Sequence, residues 1–99
     1  MFINVLEDYE LDDLKYLASI ITDKLNNVVI LLGRQQNYIA IVISKPPEVS
    51  FNIQEKYADV LTKYGWRGRC ADNLLTGVFM SDQASYKQLM EEFKNRKLR

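Results

Sequence analysis

Two unbroken apolar runs, separated by a short polar turn, constrain this chain more than any other feature. Val28-Val29-Ile30-Leu31-Leu32 is the first run, and Tyr38 to Ser44 is the second. The polar stretch Gly33 to Asn37 lies between them. A strand with one wet face alternates apolar and polar residues, whereas a continuous β-branched run reads as a strand covered on both faces. The two runs are close enough in sequence to pair as a hairpin. A hairpin buried on both faces demands helices, or another layer, on each side.

The flanking sequence supplies those layers. Phe2 to Leu6 reads as a short strand, and Glu7 to Glu10 turns the chain. Leu11, Leu14, Leu17, Ala18, Ile21 and Leu25 then recur at helical spacing. Asp12 or Asp13 is expected to cap this helix, and Asn26-Asn27 to end it, since Asn tolerates the left-handed conformation. Pro46-Pro47 bars helix and sheet pairing where it stands. Asn52 with Glu55 resembles a capping box, opening a helix whose stripe is Ile53, Tyr57, Val60, Leu61 and Tyr64 and which Gly65 stops. Trp66 to Asn73 reads as irregular, and Leu74 to Met80 as a further strand with Gly77 inside it. Ser81 or Asp82 is expected to cap a last helix with Tyr86, Leu89, Met90 and Phe93 on its apolar face. The order β-α-β-β-α-β-α makes one α/β or α+β domain over residues 1–99. It does not give the strand order.

Composition removes most chemistries. The 99 residues contain no histidine and one cysteine, Cys70. The commonest general base and metal ligand are therefore missing, and so are the usual zinc sites and any internal disulfide. Cys70 has no imidazole to activate it. The carboxylate pairs Asp12-Asp13 and Glu91-Glu92 are neighbours in sequence, and neighbours on a helix point apart. The expectation is a chain with no catalysis of its own, no metal and no small-molecule cofactor. No run is long enough to span a membrane, and Met1 to Leu6 has neither a basic stretch nor a long apolar core. Cytoplasm is the expected compartment.

Formal charge is zero but unevenly spread. Residues 1–61 hold nine acids and five bases, and residues 62–99 hold four acids and eight bases. Such polarity attracts a polyanion to one face, promotes self-association, or simply solvates the surface. The most informative basic segment is Gly65-Trp66-Arg67-Gly68-Arg69. It is neither a dinucleotide fingerprint nor a Walker loop. Arginine forks suit phosphates, and an exposed indole offers a stacking face for a base. The alternative is that Trp66 folds back onto the core and the arginines only solvate the loop.

At this segment the chain resembles the DHHA1 family, the C-terminal domains of alanyl-tRNA synthetases and of DHH-type phosphoesterases. Asp12-Asp13-Leu14-Lys15-Tyr16-Leu17-Ala18 is similar to the family's first helix. Lys24-Leu25 followed by Val28 to Leu32 resembles its helix-to-strand passage, and Tyr38 to Ser44 its paired strand. Tyr64-Gly65-Trp66-Arg67-Gly68, then Asp72 and Gly77, resemble its glycine-rich loop. Trp66, Arg69 and Cys70 stand where the family carries glycines, and the phosphoesterase histidine is missing. The resemblance implies a mixed sheet flanked by helices, either free-standing or excised from a longer protein. It also implies a role in tRNA binding and in dimerisation.

Two functions follow as expectations. The first is an accessory domain that binds tRNA or another RNA. Lys63, Trp66, Arg67 and Arg69 would be its contacts, with Lys94, Arg96 and Lys97 as a second patch. The second is a structural or dimerising domain that has lost nucleic-acid binding, with Tyr86, Met90 and Phe93 at a homodimer interface.

Overall fold

The computed structural model describes residues 2–80, 82 and 85–97, with 96 and 97 by their backbone only. Its elements run β1 (Phe2–Glu7), α1 (Leu11–Leu25), β2 (Val29–Arg34), β3 (Tyr38–Ser44), α2 (Ile53–Lys56), α3 (Ala58–Lys63), β4 (Arg67–Cys70), β5 (Leu74–Met80) and α4 (Tyr86–Lys97). The strands form one sheet in the order β1-β2-β3-β5-β4. β1 and β2 are parallel and joined through α1, while every other neighbouring pair is antiparallel. This is the mixed α/β sheet flanked by helices that the patterning and the resemblance predict.

The central hairpin is covered on both faces, as its unbroken apolar runs require. On one side Leu14 and Ala18 of α1 press against Val29, Leu31, Ala40 and Val42. On the other, Ile30, Leu32, Ile41 and Ile43 meet Ile53, Val60, Leu61, Leu89 and Phe93 from α2, α3 and α4. Full burial of each such side chain contributes about 1.5–3 kcal/mol. The register follows, because a one-residue slip would exchange the two sets of partners.

Local boundaries differ from the sequence expectations in four places. α1 is capped by Glu10, whose side chain accepts from the backbone of Asp13 while the Asp13 carboxylate accepts from the Glu10 N–H at 3.4 Å. Neither Asp12 nor Asp13 is the cap itself; Asp13 serves as the third residue of a capping box. Asn26 ends the helix in the left-handed region, at φ 49°, as predicted.

The expected helix from Ile53 breaks into α2 and α3 at Tyr57, whose backbone leaves the helical region at φ −108° and ψ 17°. The break keeps the apolar stripe, since Ile53, Tyr57, Val60, Leu61 and Tyr64 are all buried. The Tyr57 ring meets Phe93 edge-on at 5.3 Å and Phe51 at 6.4 Å.

Trp66 to Asn73 is not wholly irregular, since Arg67–Cys70 forms the edge strand β4. At α4 the cap is Ser85 rather than Asp82: Ser85 Oγ accepts from Gln88 N at 3.2 Å, and Gln88 Oε1 accepts from Ser85 N at 3.2 Å. Ser81 lies outside the described residues.

The apolar face of α4 is not a free interface. Leu89 and Phe93 are fully buried, and Tyr86 and Met90 pack against the same core. The Arg34 guanidinium sits 4.4 Å above the Tyr86 ring. These side chains are used within the chain, which removes the basis for placing a homodimer contact there. Among the described residues no helix is long and apolar enough to cross a membrane.

Candidate nucleic-acid interface

The end of the sheet formed by β4 and β5 is built differently from its centre. β5 alternates, with Leu75, Gly77 and Phe79 buried and Leu74, Thr76 and Val78 half-buried. Leu75 and Phe79 join the core beneath α2, α3 and α4. Thr76 and Val78 therefore face the α1 side. α1 lies chiefly over β2 and β3 and hardly reaches β5. Among the described residues, the α1 side of β4 and of most of β5 is thus left without a covering helix.

β4 continues the alternation. Trp66 and Cys70 pack against the core on the helical side. Arg67 and Arg69 consequently point to the open side, and both are exposed. Register sets Arg67 opposite Val78 and Arg69 opposite Thr76. Two residues along a strand span about 6.7 Å, so the guanidinium groups rise from neighbouring points on one surface. Met80, also exposed, extends that surface. Among the described residues neither guanidinium has an ion-pair partner.

Two glycines make this edge possible. Gly68 pairs with Gly77 across the strands. A Cβ on Gly68 would run into the Thr76 carbonyl oxygen, and one on Gly77 would meet the Trp66 indole nitrogen and the Arg67 carbonyl oxygen. The pair lets β4 approach β5 closely and lets the indole lie over β5. Trp66 Nε1 is buried there with no acceptor among the described residues. Of the two sequence readings of Trp66, this is the folded-back one. The indole anchors β4 to the core rather than standing free for a base.

The remaining predicted residues lie elsewhere. Lys63 ends α3, its ammonium 3.7 Å from Glu92 Oε1 on α4 and 5.3 Å from the centre of the Tyr64 ring. Lys94 is exposed on α4. Both belong to the helical layer, on the opposite side of the sheet from Arg67 and Arg69. The side chains of Arg96 and Lys97 lie outside the described residues. Of the five predicted residues whose side chains are described, Arg67 and Arg69 share the open face, while Lys63, Trp66 and Lys94 lie on the helical side. Sequence reading missed Thr76, Val78 and Met80 as neighbours of the arginines, since Leu74 to Met80 does not alternate in polarity and only the register of β4 on β5 shows them.

The charge asymmetry of the sequence becomes a polarity across the sheet. Glu7, Asp8, Glu10, Asp12 and Asp13 gather where β1 leads into α1, and Glu7 pairs with Arg34 at 3.1 Å. β1 and β4 are the opposite edges, about 19 Å apart at the usual strand spacing. Cys70 is half-buried, its thiol directed at the Ala71 carbonyl at 3.4 Å. Among the described residues no three cysteine, aspartate or glutamate side chains converge closely enough to hold a metal ion.

The chain is similar in structure to the crystal structure of the C-Ala domain from Aquifex aeolicus alanyl-tRNA synthetase. The TM-score is 0.78 at 21% sequence identity, over 96% of this chain and 87% of that one. At that identity the likeness is one of fold. No family model matches the chain, and no curated protein matches it either.

Proposed function

We propose that this chain is an RNA-binding accessory domain, with tRNA as its ligand class, that holds phosphates on the open face of β4 and β5. The observation that carries the reading is the Arg67–Arg69 pair: two exposed guanidinium groups on one uncovered face, without acidic partners among the described residues. Arginine forks match phosphate oxygens two at a time, and binding them releases condensed counterions. The fold shared with a domain of an alanyl-tRNA synthetase supports the choice of tRNA, as does the resemblance to DHHA1 domains.

In this reading Trp66 shapes the site by anchoring β4. Lys63, Lys94, Arg96 and Lys97 serve only a ligand that wraps around the β4 edge onto the helical layer. Phosphate contacts position a nucleic acid without reading its sequence, so selectivity would rest on shape. The domain would act in the cytoplasm as a binding module, any catalysis coming from a partner domain or chain. Pairing of two copies through β4 is disfavoured, because it would set arginine beside arginine at the joined edges.

A fluorescence-anisotropy titration of labelled tRNA at two salt concentrations tests this. Binding that weakens steeply with salt is expected. No binding at low salt would refute it and return attention to protein partners.

A further inference from the structure

β4 is the last strand of the sheet, bonded to β5 and to no other strand. Its hydrogen-bond phase is fixed at the turn that joins it to β5. Ala71 N donates to the Leu74 carbonyl at 2.8 Å, so Ala71 and Leu74 are a hydrogen-bonded pair. Opposed residues of an antiparallel ladder alternate between bonded and non-bonded pairs. Arg69 with Thr76 and Arg67 with Val78 are therefore bonded pairs, whereas Gly68 with Gly77 and Cys70 with Leu75 are not. The far side of β5 agrees. Lys45 N donates to the Asn73 carbonyl at 3.0 Å, and in the register of β3 on β5 this gives the backbones of Leu75 and Gly77 to β3.

The N–H and C=O groups of Gly68 and Cys70 consequently point away from the sheet. Among the described residues no backbone hydrogen bond from a turn or loop reaches them. Trp66 has the same phase, but its N–H is spent on the Leu61 carbonyl at 2.9 Å. The cover that α3 gives this edge thus ends at Trp66.

A bare edge is a template for one more strand, and its side chains decide which strand fits. Arg67 and Arg69 stand on the open face without an ion-pair partner among the described residues. In an added strand the residues opposite them fall at non-bonded positions, where facing side chains come closest. Carboxylates there would meet the guanidinium groups, whereas the β4 of a second copy would bring arginine against arginine. Trp66 and Cys70 pack against the core on the helical side, and Gly68 between them carries no side chain. An apolar side chain opposite Gly68 would cover that gap.

We propose that the β4 edge takes an extended acidic segment of a partner protein as a sixth strand of the sheet, in the pattern acid-apolar-acid opposite Arg69, Gly68 and Arg67. Such a strand would cover the arginines to which the RNA reading assigns phosphates, so partner and RNA would exclude each other. The inference needs only the edge and its arginines and does not rest on RNA binding.

Two-dimensional ¹H–¹⁵N spectra and amide hydrogen exchange of the whole chain test it, with capped peptides centred on Glu-Val-Glu, Lys-Val-Lys and Glu-Pro-Glu as probes. The acidic valine peptide should shift the Gly68 and Cys70 amides saturably and slow their exchange. The basic peptide should leave them unchanged. The proline peptide should bind far more weakly, since its central residue has no N–H to give to the Gly68 carbonyl. The Arg67→Ala/Arg69→Ala variant should bind the acidic valine peptide about fivefold or more weakly, from the loss of two cross-strand charge pairs. No saturable change at the two amides up to millimolar peptide, equal binding of the proline peptide, or equal binding by the double variant would overturn the proposal. So would protection of these amides by RNA and not by the acidic peptide. Salt-sensitive tRNA binding alongside such a failure would leave the open-face reading intact.

Discussion

The two hairpins of this sheet are made of similar lengths of chain and end in different states. β2 and β3 carry apolar residues at nearly every position and are buried on both faces. β5 is buried on one face only, and β4 is exposed along most of its length. The continuous runs of β2 and β3 commit both strands to two layers, whereas β4 and β5 sit beyond most of α1 and keep one face open. That spare face is where Arg67 and Arg69 stand. A chain with no net formal charge thereby still carries a localised basic surface.

The contrast can be broken most forcefully by truncation. Ile41→Ala in β3 is expected to cost about 2–5 kcal/mol in urea unfolding, whereas Val78→Ala on the open face should cost under about 1 kcal/mol. Equal costs would mean that something covers the open face. Gly77→Ala comes next. Its methyl group would collide with the Trp66 indole and the Arg67 carbonyl, for a loss of about 1–3 kcal/mol. A double-mutant cycle with Trp66→Leu should show coupling between the two positions, and strict additivity would count against the anchoring role of the indole.

Tyr57 sharpens the covered side. Burial pushes its phenol above the ordinary tyrosine value of 10.0. Below pH 10 both folded and unfolded chains keep the proton. Above it the unfolded chain ionises first, so stability falls as pH rises through the folded value. Tyr57→Phe should flatten that alkaline decline, and an unchanged decline would show that other groups cause it. The smallest effect belongs to the open face: Arg67→Ala and Arg69→Ala should each change stability by no more than about 0.5 kcal/mol.

Much of this architecture is legible in the residues. The two apolar runs require a doubly covered hairpin, and the stripe from Leu11 to Leu25 requires the helix that covers one side. β4 is hidden because Gly65 and Gly68 look like turn residues. Gly68 is in fact the position that lets the edge strand approach Gly77. The Ser85–Gln88 box is present in the sequence, but Ser81 and Asp82 offer competing caps a few residues earlier. The break at Tyr57 leaves the stripe unchanged, so periodicity does not reveal it.

For the basic residues, spacing shows that Arg67 and Arg69 belong together. It does not show that Lys63 turns to Glu92, a residue far along the chain. Nor does it show that Thr22 meets Ser44 or that Lys45 meets Asn73, contacts made only in the folded sheet.

The most direct test of the open face as an RNA-binding surface is the salt dependence of tRNA affinity in the wild type and in the Arg67→Ala/Arg69→Ala double variant. Removing one arginine–phosphate interaction should flatten the slope of log affinity against log salt by about 0.7–0.9. The account predicts weaker binding and a slope flatter by roughly twice that amount, with the fold unchanged. Equal affinity and equal slope in the two proteins would contradict it.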